Sequence, residues 1–334
     1  MWGLYFSLIY LAKQKSIFSG RYLSNFMKPK AFAILHLSVF LFGFTAILGD
    51  LIHLNTLSIV WWRVFITVSI MSFFIRPWRI LKDNGAVFVK RHMFIGFLVA
   101  LHWLAFYGSI KLSSASIALI TMSTSAIITA LLEPVILRSF RWKISDVIIS
   151  LLVTPAMVLI YYNADQIQQT GLFVGLISAF IGAVFSILNK IWLVKSKELH
   201  TTFVQLGTVW ITTGLILLFA GIIRQPQFEL PEGIDWIYLL VFAIVCTIFA
   251  YYFYLMSMRW LSAFDVSFAF NMEPVYGLLM AAWILGDHKT ISPRVYLGML
   301  IIFALMLIHT LLRTGKNNSF LWRVINIRKK PESN

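Results

Sequence analysis

Three ionisable side chains stand inside long apolar runs of this sequence: Arg63, Glu133 and Glu273. A charge at the centre of a bilayer costs about 2.5–3.5 kcal/mol on insertion scales, so such groups face a protein interior or a watery cavity and find partners there. Arg63 and Glu273 are expected to pair or to share a cavity in which both meet a solute. Their depths differ by about 8 Å at the rise of an α-helix, a gap that an arginine side chain can bridge. The alternative is a pair that locks the fold and touches no solute. Glu133 either reaches the membrane interface or serves as a proton- or substrate-linked carboxylate opposite Lys190. Both glutamates precede a proline, Pro134 and Pro274. Proline removes a backbone hydrogen bond and kinks a helix, and carbonyls freed at a kink can face a cavity.

His36, His102, Trp103, Tyr107 and Asn271 are further candidates for a cavity wall. A histidine at mid-membrane can change charge near physiological pH, while a packing role accounts for each histidine taken alone. Asn189, Gln205 and Asn271 can equally join helices by hydrogen bonds. Trp61, Trp62, Tyr251 and Tyr252 read as interfacial belt or packing, and Asp265 reads as a helix cap. No H-E-x-x-H, G-x-S-x-G or phosphate-loop pattern occurs, and Cys246 is the single cysteine. No catalytic residue, metal or other cofactor is therefore expected, and the single thiol implies no redox compartment.

The elements that position these residues must live in lipid. The chain has 334 residues, 60% hydrophobic and 12% charged, whereas soluble domains carry about 25% charged residues. Apolar windows fall near 31–49, 57–75, 93–110, 114–137, 144–162, 171–190, 201–222, 236–256, 263–285 and 294–312. Each approaches the roughly 20 residues needed to span a bilayer core of about 30 Å. A single helix over 93–137 would be about 67 Å long, so a short turn is expected at Lys111 to Ser113. If the N-terminus is cytoplasmic, 23 of the 28 Lys and Arg fall on the cytoplasmic side, four fall outside and Arg63 lies within span two. The positive-inside rule thus predicts cytoplasmic termini. It also explains the net charge of +15 as topology rather than nucleic-acid affinity, with the lipid bilayer as the partner.

A shift of 148 residues superimposes spans three to five on spans eight to ten. Ser109 then meets Ser257, Lys111 meets Arg259, and Leu131 meets Leu279. Each half has five spans, and an odd number places the halves in opposite orientation, the inverted design that recurs in secondary transporters. The alternative is an accidental match of two apolar hairpins. The expected fold is all-α and integral to the membrane: ten transmembrane helices as two inverted five-helix repeats around a central cavity. Residues 30–162 form the first repeat, 163–313 the second and 314–334 a basic tail. Residues 1–29 are a basic N-terminal segment, read either as an interfacial arm or as sequence before a true start at Met27.

Several short strings resemble the EamA-type permeases of the drug/metabolite transporter superfamily. Leu41-Phe42-Gly43-Phe44 is similar to the family's Trp-Gly segment, and Arg63 stands where such permeases carry an arginine. His102-Trp103 and Phe106-Tyr107 precede a short turn and a Ser/Ala-rich helix start. Glu273-Pro274-Val275 is followed by Leu285-Gly286-Asp287, similar to the family's proline and later Leu-Gly-Glu. The first repeat departs from this pattern, with Ala126 at the proline position and Leu137-Arg138-Ser139 for Leu-Gly-Glu. The resemblance spans residues 30–313. It implies a basket of helices around a cavity and the movement of a small metabolite, such as an amino acid or related compound, across a bacterial-type inner membrane, by a monomer or homodimer. An intramembrane enzyme, a channel and a scaffold are the competing classes. An enzyme would turn over without a sealed membrane, and a channel would not saturate at modest solute.

Overall fold

A computed structural model describes residues 27–45, 48–49, 51–113, 115–137, 143–161, 169–193, 197–222, 228–284 and 293–314. The expectations for residues 1–26, for the tail beyond 314 and for Leu285-Gly286-Asp287 lie outside the described residues. Those described form helices joined by turns and short irregular segments, with no strand among them. Helix occupies each of the ten apolar windows. Among the described residues seven helices are long and apolar enough to cross a membrane, and the chain is a multi-pass membrane protein.

Helix α1 (Met27–Thr45) leads to α2 (Thr56–Phe74). Asn55 caps α2 by accepting from Ser58 N at 3.0 Å, which satisfies an amide that the helix itself cannot. Helix α3 (Pro77–Leu112) is two helical pieces that meet at a kink at Gly85, and the second starts before the expected residue 93. Charged Lys90 and Arg91 do not stop it, because a helix satisfies its own backbone whatever its side chains. Gly85 breaks the helical dihedrals with φ 80°, a left-handed conformation that glycine adopts without a Cβ clash. Ser113, at φ −140° and ψ −91°, ends α3 where the turn was expected, and α4 (Ala115–Ile136) follows. Helices α5 (Ile144–Tyr161), α6 (Gln169–Trp192) and α7 (Glu198–Ile222) keep close to their windows.

Spans eight and nine are the irregular ones. Helix α8 (Asp235–Ala243) passes through a π-helical turn at Ile244–Phe249 into α9 (Ala250–Ser257). Window nine, expected as one helix, is broken into α10 (Ala263–Ala269), a 3-10 turn at Phe270–Met272 and α11 (Glu273–Ile284). Pro274 explains the break: it lies in the first turn of α11, where a missing N–H costs no helical bond. Helix α12 (Pro293–Thr314) closes the described chain.

Small residues let these helices touch. Gly171, Gly175, Ser178, Ala179, Gly182, Ala183 and Ser186 form one buried face of α6, which packs on α3 and α4. A Cβ on Gly175 would lie 2.2 Å from Thr121 Oγ1, and one on Gly96 would lie 2.4 Å from the Gln205 carbonyl oxygen. Lipid is as apolar as leucine, so such close packing and interhelical bonds replace the hydrophobic drive of soluble cores. The opposite surfaces present Phe73, Phe74, Phe219 and Trp283 outward, as a lipid-facing exterior requires.

A polar knot joins the start of α10 to three other helices. Ser262 and Asp265 form a reciprocal capping box, so Asp265 is a cap as expected, and it is more than that. Asp265 also meets His309 at 3.0 Å and Arg313 at 2.9 Å. Arg313 in turn meets Asp146 of α5 at 2.6 Å. Glu133 does not reach an interface. It is buried, and its carboxylate accepts from Ala263 N at 2.9 Å and Phe264 N at 3.0 Å. Lys190 is near enough to attract it, but its ammonium donates to the Met258 carbonyl at 2.6 Å.

Three stability outcomes follow from these contacts. Glu133→Ala strands two buried N–H groups and is expected to cost about 2–4 kcal/mol, seen as a lower melting temperature in detergent; a loss under about 0.5 kcal/mol, the size of a neutral surface change, contradicts the capping role. Gly96→Val is expected to abolish monodisperse protein, because its clash is with backbone. Gly207→Ala, with open space around it, is expected to stabilise by up to about 1 kcal/mol.

Candidate functional site

Among the described residues the helices line a partly open cavity of about 160 Å³. An apolar cavity of about 150 Å³ takes a benzene-sized guest, so this one suits a small metabolite. Of the residues singled out in the sequence, Arg63, His102, Trp103, Tyr107, Asn271 and Glu273 all line it. His36 and Glu133 do not. His36 Nδ1 lies 2.9 Å from the Tyr276 hydroxyl and ties α1 to α11, while Glu133 belongs to the polar knot.

Arg63 is 3% exposed and is held by neutral acceptors. Its Nε donates to Thr247 Oγ1 at 2.6 Å and one terminal nitrogen donates to the Cys246 carbonyl at 3.3 Å. Its planar head sits 4.6 Å from the Trp103 ring centre and 4.2 Å from that of Phe242. Rings offer their negative faces to such a cation. Tyr107 also bonds to Arg63, and both side chains line the cavity. The π turn makes the bond to Cys246 possible. An i→i+5 turn displaces carbonyls from the regular ladder, and here the Cys246 oxygen is among those free to accept from outside the helix.

Of the two arrangements expected for Arg63 and Glu273, a direct pair or a shared cavity, both side chains line the one cavity and no ion pair within 4.0 Å joins them. The two groups attract across it. Glu273 opens α11 beside Gly43, whose Cβ would lie 3.3 Å from the Glu273 carbonyl oxygen and 3.2 Å from Gly277 N. Glycine in the Leu-Phe-Gly-Phe string therefore lets α1 lie against the helix that carries the carboxylate. Asn271 spends one N–H on the Phe268 carbonyl at 2.9 Å.

His102 is locked onto α6. Its Nδ1 lies 3.0 Å from the Ser178 carbonyl, and Ser178 Oγ donates to the His102 carbonyl at 2.9 Å. A carbonyl only accepts, so Nδ1 carries the proton and Nε2 is left as an acceptor in the neutral ring.

Sequence reasoning missed Thr247, Phe242, Ser178, Tyr251 and Tyr254. The last two could have been found. The 148-residue shift places Trp103 on Tyr251, Phe106 on Tyr254, Met122 on Phe270, Ser123 on Asn271 and Ser125 on Glu273. All ten of these side chains line the cavity.

Comparison with known proteins fits this geometry. A protein of known crystal structure superimposes with a TM-score of 0.68 at 17% identity, over 86% of this chain and 100% of its own. At that identity the likeness speaks for the fold alone. No curated protein matches the sequence. Residues 169–310 match the model of the EamA-like transporter family, which identifies that stretch as EamA-like and agrees with an EamA-type chain of the drug/metabolite transporter superfamily.

Proposed function

We propose that this protein is a secondary transporter that moves a small metabolite, such as an amino acid or related compound, across a bacterial-type plasma membrane by alternating access. The observation that carries this reading is the wall of the cavity. Five pairs of residues related by the 148-residue shift face the same space. Two halves that each contribute equivalent positions to one midplane site are the architecture through which inverted repeats rock about a bound solute. In this reading residues 30–162 and 163–313 are the two repeats, ten spans cross the bilayer and both termini are cytoplasmic.

The pairs are not chemically equal. Ser123 and Ser125 of the first repeat correspond to Asn271 and Glu273 of the second. The second repeat brings the carboxylate and the first brings Arg63. A zwitterion of amino-acid size would offer its carboxylate to Arg63, its ammonium to Glu273 and its side chain to Trp103, Tyr107 and the two cavity tyrosines. The solute is the expected ligand, with no cofactor, and the protein works as a monomer or homodimer in the bilayer.

Purified protein in proteoliposomes is expected to show saturable counterflow of at least one radiolabelled amino acid from a broad panel. Arg63→Ala and Glu273→Gln should each lower it about tenfold or more, the worth of one charged hydrogen bond, with melting behaviour retained in Glu273→Gln and a lower melting temperature in Arg63→Ala, which also loses its bonds to Thr247 and Cys246. Product formation by protein in detergent, or flux that never saturates, would turn the reading towards an enzyme or a channel. Tags at the two ends should both report the cytoplasm, and a tag found outside removes the ten-span layout.

A further inference from the structure

Thr247 does not line the cavity, yet it has two bonds that converge on the site. Its hydroxyl donates to the Phe242 carbonyl at 2.9 Å, a group five residues back along the π turn. The same oxygen accepts from Arg63 Nε at 2.6 Å. A hydroxyl has one proton and two lone pairs. With its proton committed to Phe242, the oxygen presents a lone pair to the guanidinium. The ring centres of Trp103 and Phe242 lie 4.6 and 4.2 Å from its central carbon and crowd the head. The bond to Nε fixes how the head is turned. A planar fork recognises a carboxylate only when its N–H edge is aimed correctly. No carboxylate of the protein lies within 4.0 Å of Arg63 among the described residues, so the positive charge lacks a close counter-ion until something enters the cavity.

We propose that Thr247 is a positioning residue: held in the π turn, it aims the head of Arg63, beside Tyr107, so that the cavity selects solutes with an anionic group such as a carboxylate. The assignment takes its choice of ligand from the transport reading, since the cavity must admit a solute. Valine has the shape of threonine without the hydroxyl. At the position related by the 148-residue shift the chain already carries a valine, Val99, in the cavity wall. Thr247→Val therefore removes two bonds with little change of volume, and Thr247→Ser restores the hydroxyl.

The test uses the full chain purified in detergent and two probes of nearly equal shape, benzoate and benzamide, titrated by their effect on melting temperature. Wild type is expected to bind benzoate more tightly. In Thr247→Val the benzoate affinity should fall about tenfold, the worth of a charged hydrogen bond, with benzamide unchanged. Thr247→Ser should stay within about twofold of wild type, since it keeps both bonds. Wild type that does not distinguish the probes overturns the proposal, as does Thr247→Val that distinguishes them as well as wild type. Should Thr247→Val fail to yield folded protein, Thr247→Ala provides the same contrast: lost preference for benzoate supports the proposal and retained preference overturns it. Counterflow on the same preparations keeps the two readings apart. Probe discrimination without counterflow of any amino acid upholds Thr247 and rejects transport; counterflow without discrimination rejects Thr247 alone.

Discussion

A guanidinium cannot shed its proton to escape burial, and the fold around Arg63 is arranged to meet that demand without a carboxylate in contact. Its acceptors are a hydroxyl and a peptide carbonyl from a π turn, and its charge lies against the rings of Trp103 and Phe242. A contact ion pair with Glu273 would also have satisfied the charge. It would have filled the cavity with the protein's own groups and left a solute nothing to replace. Neutral acceptors hold the arginine in place and keep its charge available. The π turn interrupts α8 and α9 to do this, in line with the association of such turns with functional sites.

Close packing sets the distances that this arrangement needs. The glycine, alanine and serine face of α6 draws α3 and α4 together, bringing Trp103 and Tyr107 to the same space as Ser123 and Ser125. Gly43 does the same for α1 and α11 at Glu273. Polar bonds then fix rotation. Ser178 holds His102, Ser38 of α1 donates to the Ala250 carbonyl at 2.7 Å, and Tyr251 donates to Gln205 at 2.6 Å while Gln205 donates to Asn189 at 2.6 Å. Asn189 and Gln205 thus join helices, one of the roles their types suggested.

Much of the framework was legible in the sequence because lipid imposes long apolar runs and helices impose length. The division at Ser113 followed from length alone. The early start of α3 did not, because charged residues near a helix end say nothing about where backbone bonding begins. The break before Pro274 was foreshadowed by the proline, but its form was not. Arg63, Glu273 and the His102–Tyr107 string declared themselves as polar or aromatic groups inside apolar runs. Thr247 gave no such signal, since an isolated threonine in a transmembrane run is ordinary and the π turn leaves no mark in residue types. Glu133 misled for a related reason: position near a helix end suggested water, whereas its oxygens are taken by the amides of α10.

The polar knot has a mechanical meaning. Glu133 of α4, Asp146 of α5, Asp265 at the start of α10, and His309 and Arg313 of α12 bind four helices at one level. Helices pinned at one level behave like the legs of a tripod clamped near one foot: any tilt leaves the clamp almost still and swings the far ends widest. Along the chain, Glu273 sits beyond the 3-10 turn that separates α10 from α11, a natural elbow in the leg. The half-buried carboxylate therefore stands beyond the elbow, while the base of the same leg is bonded to its neighbours.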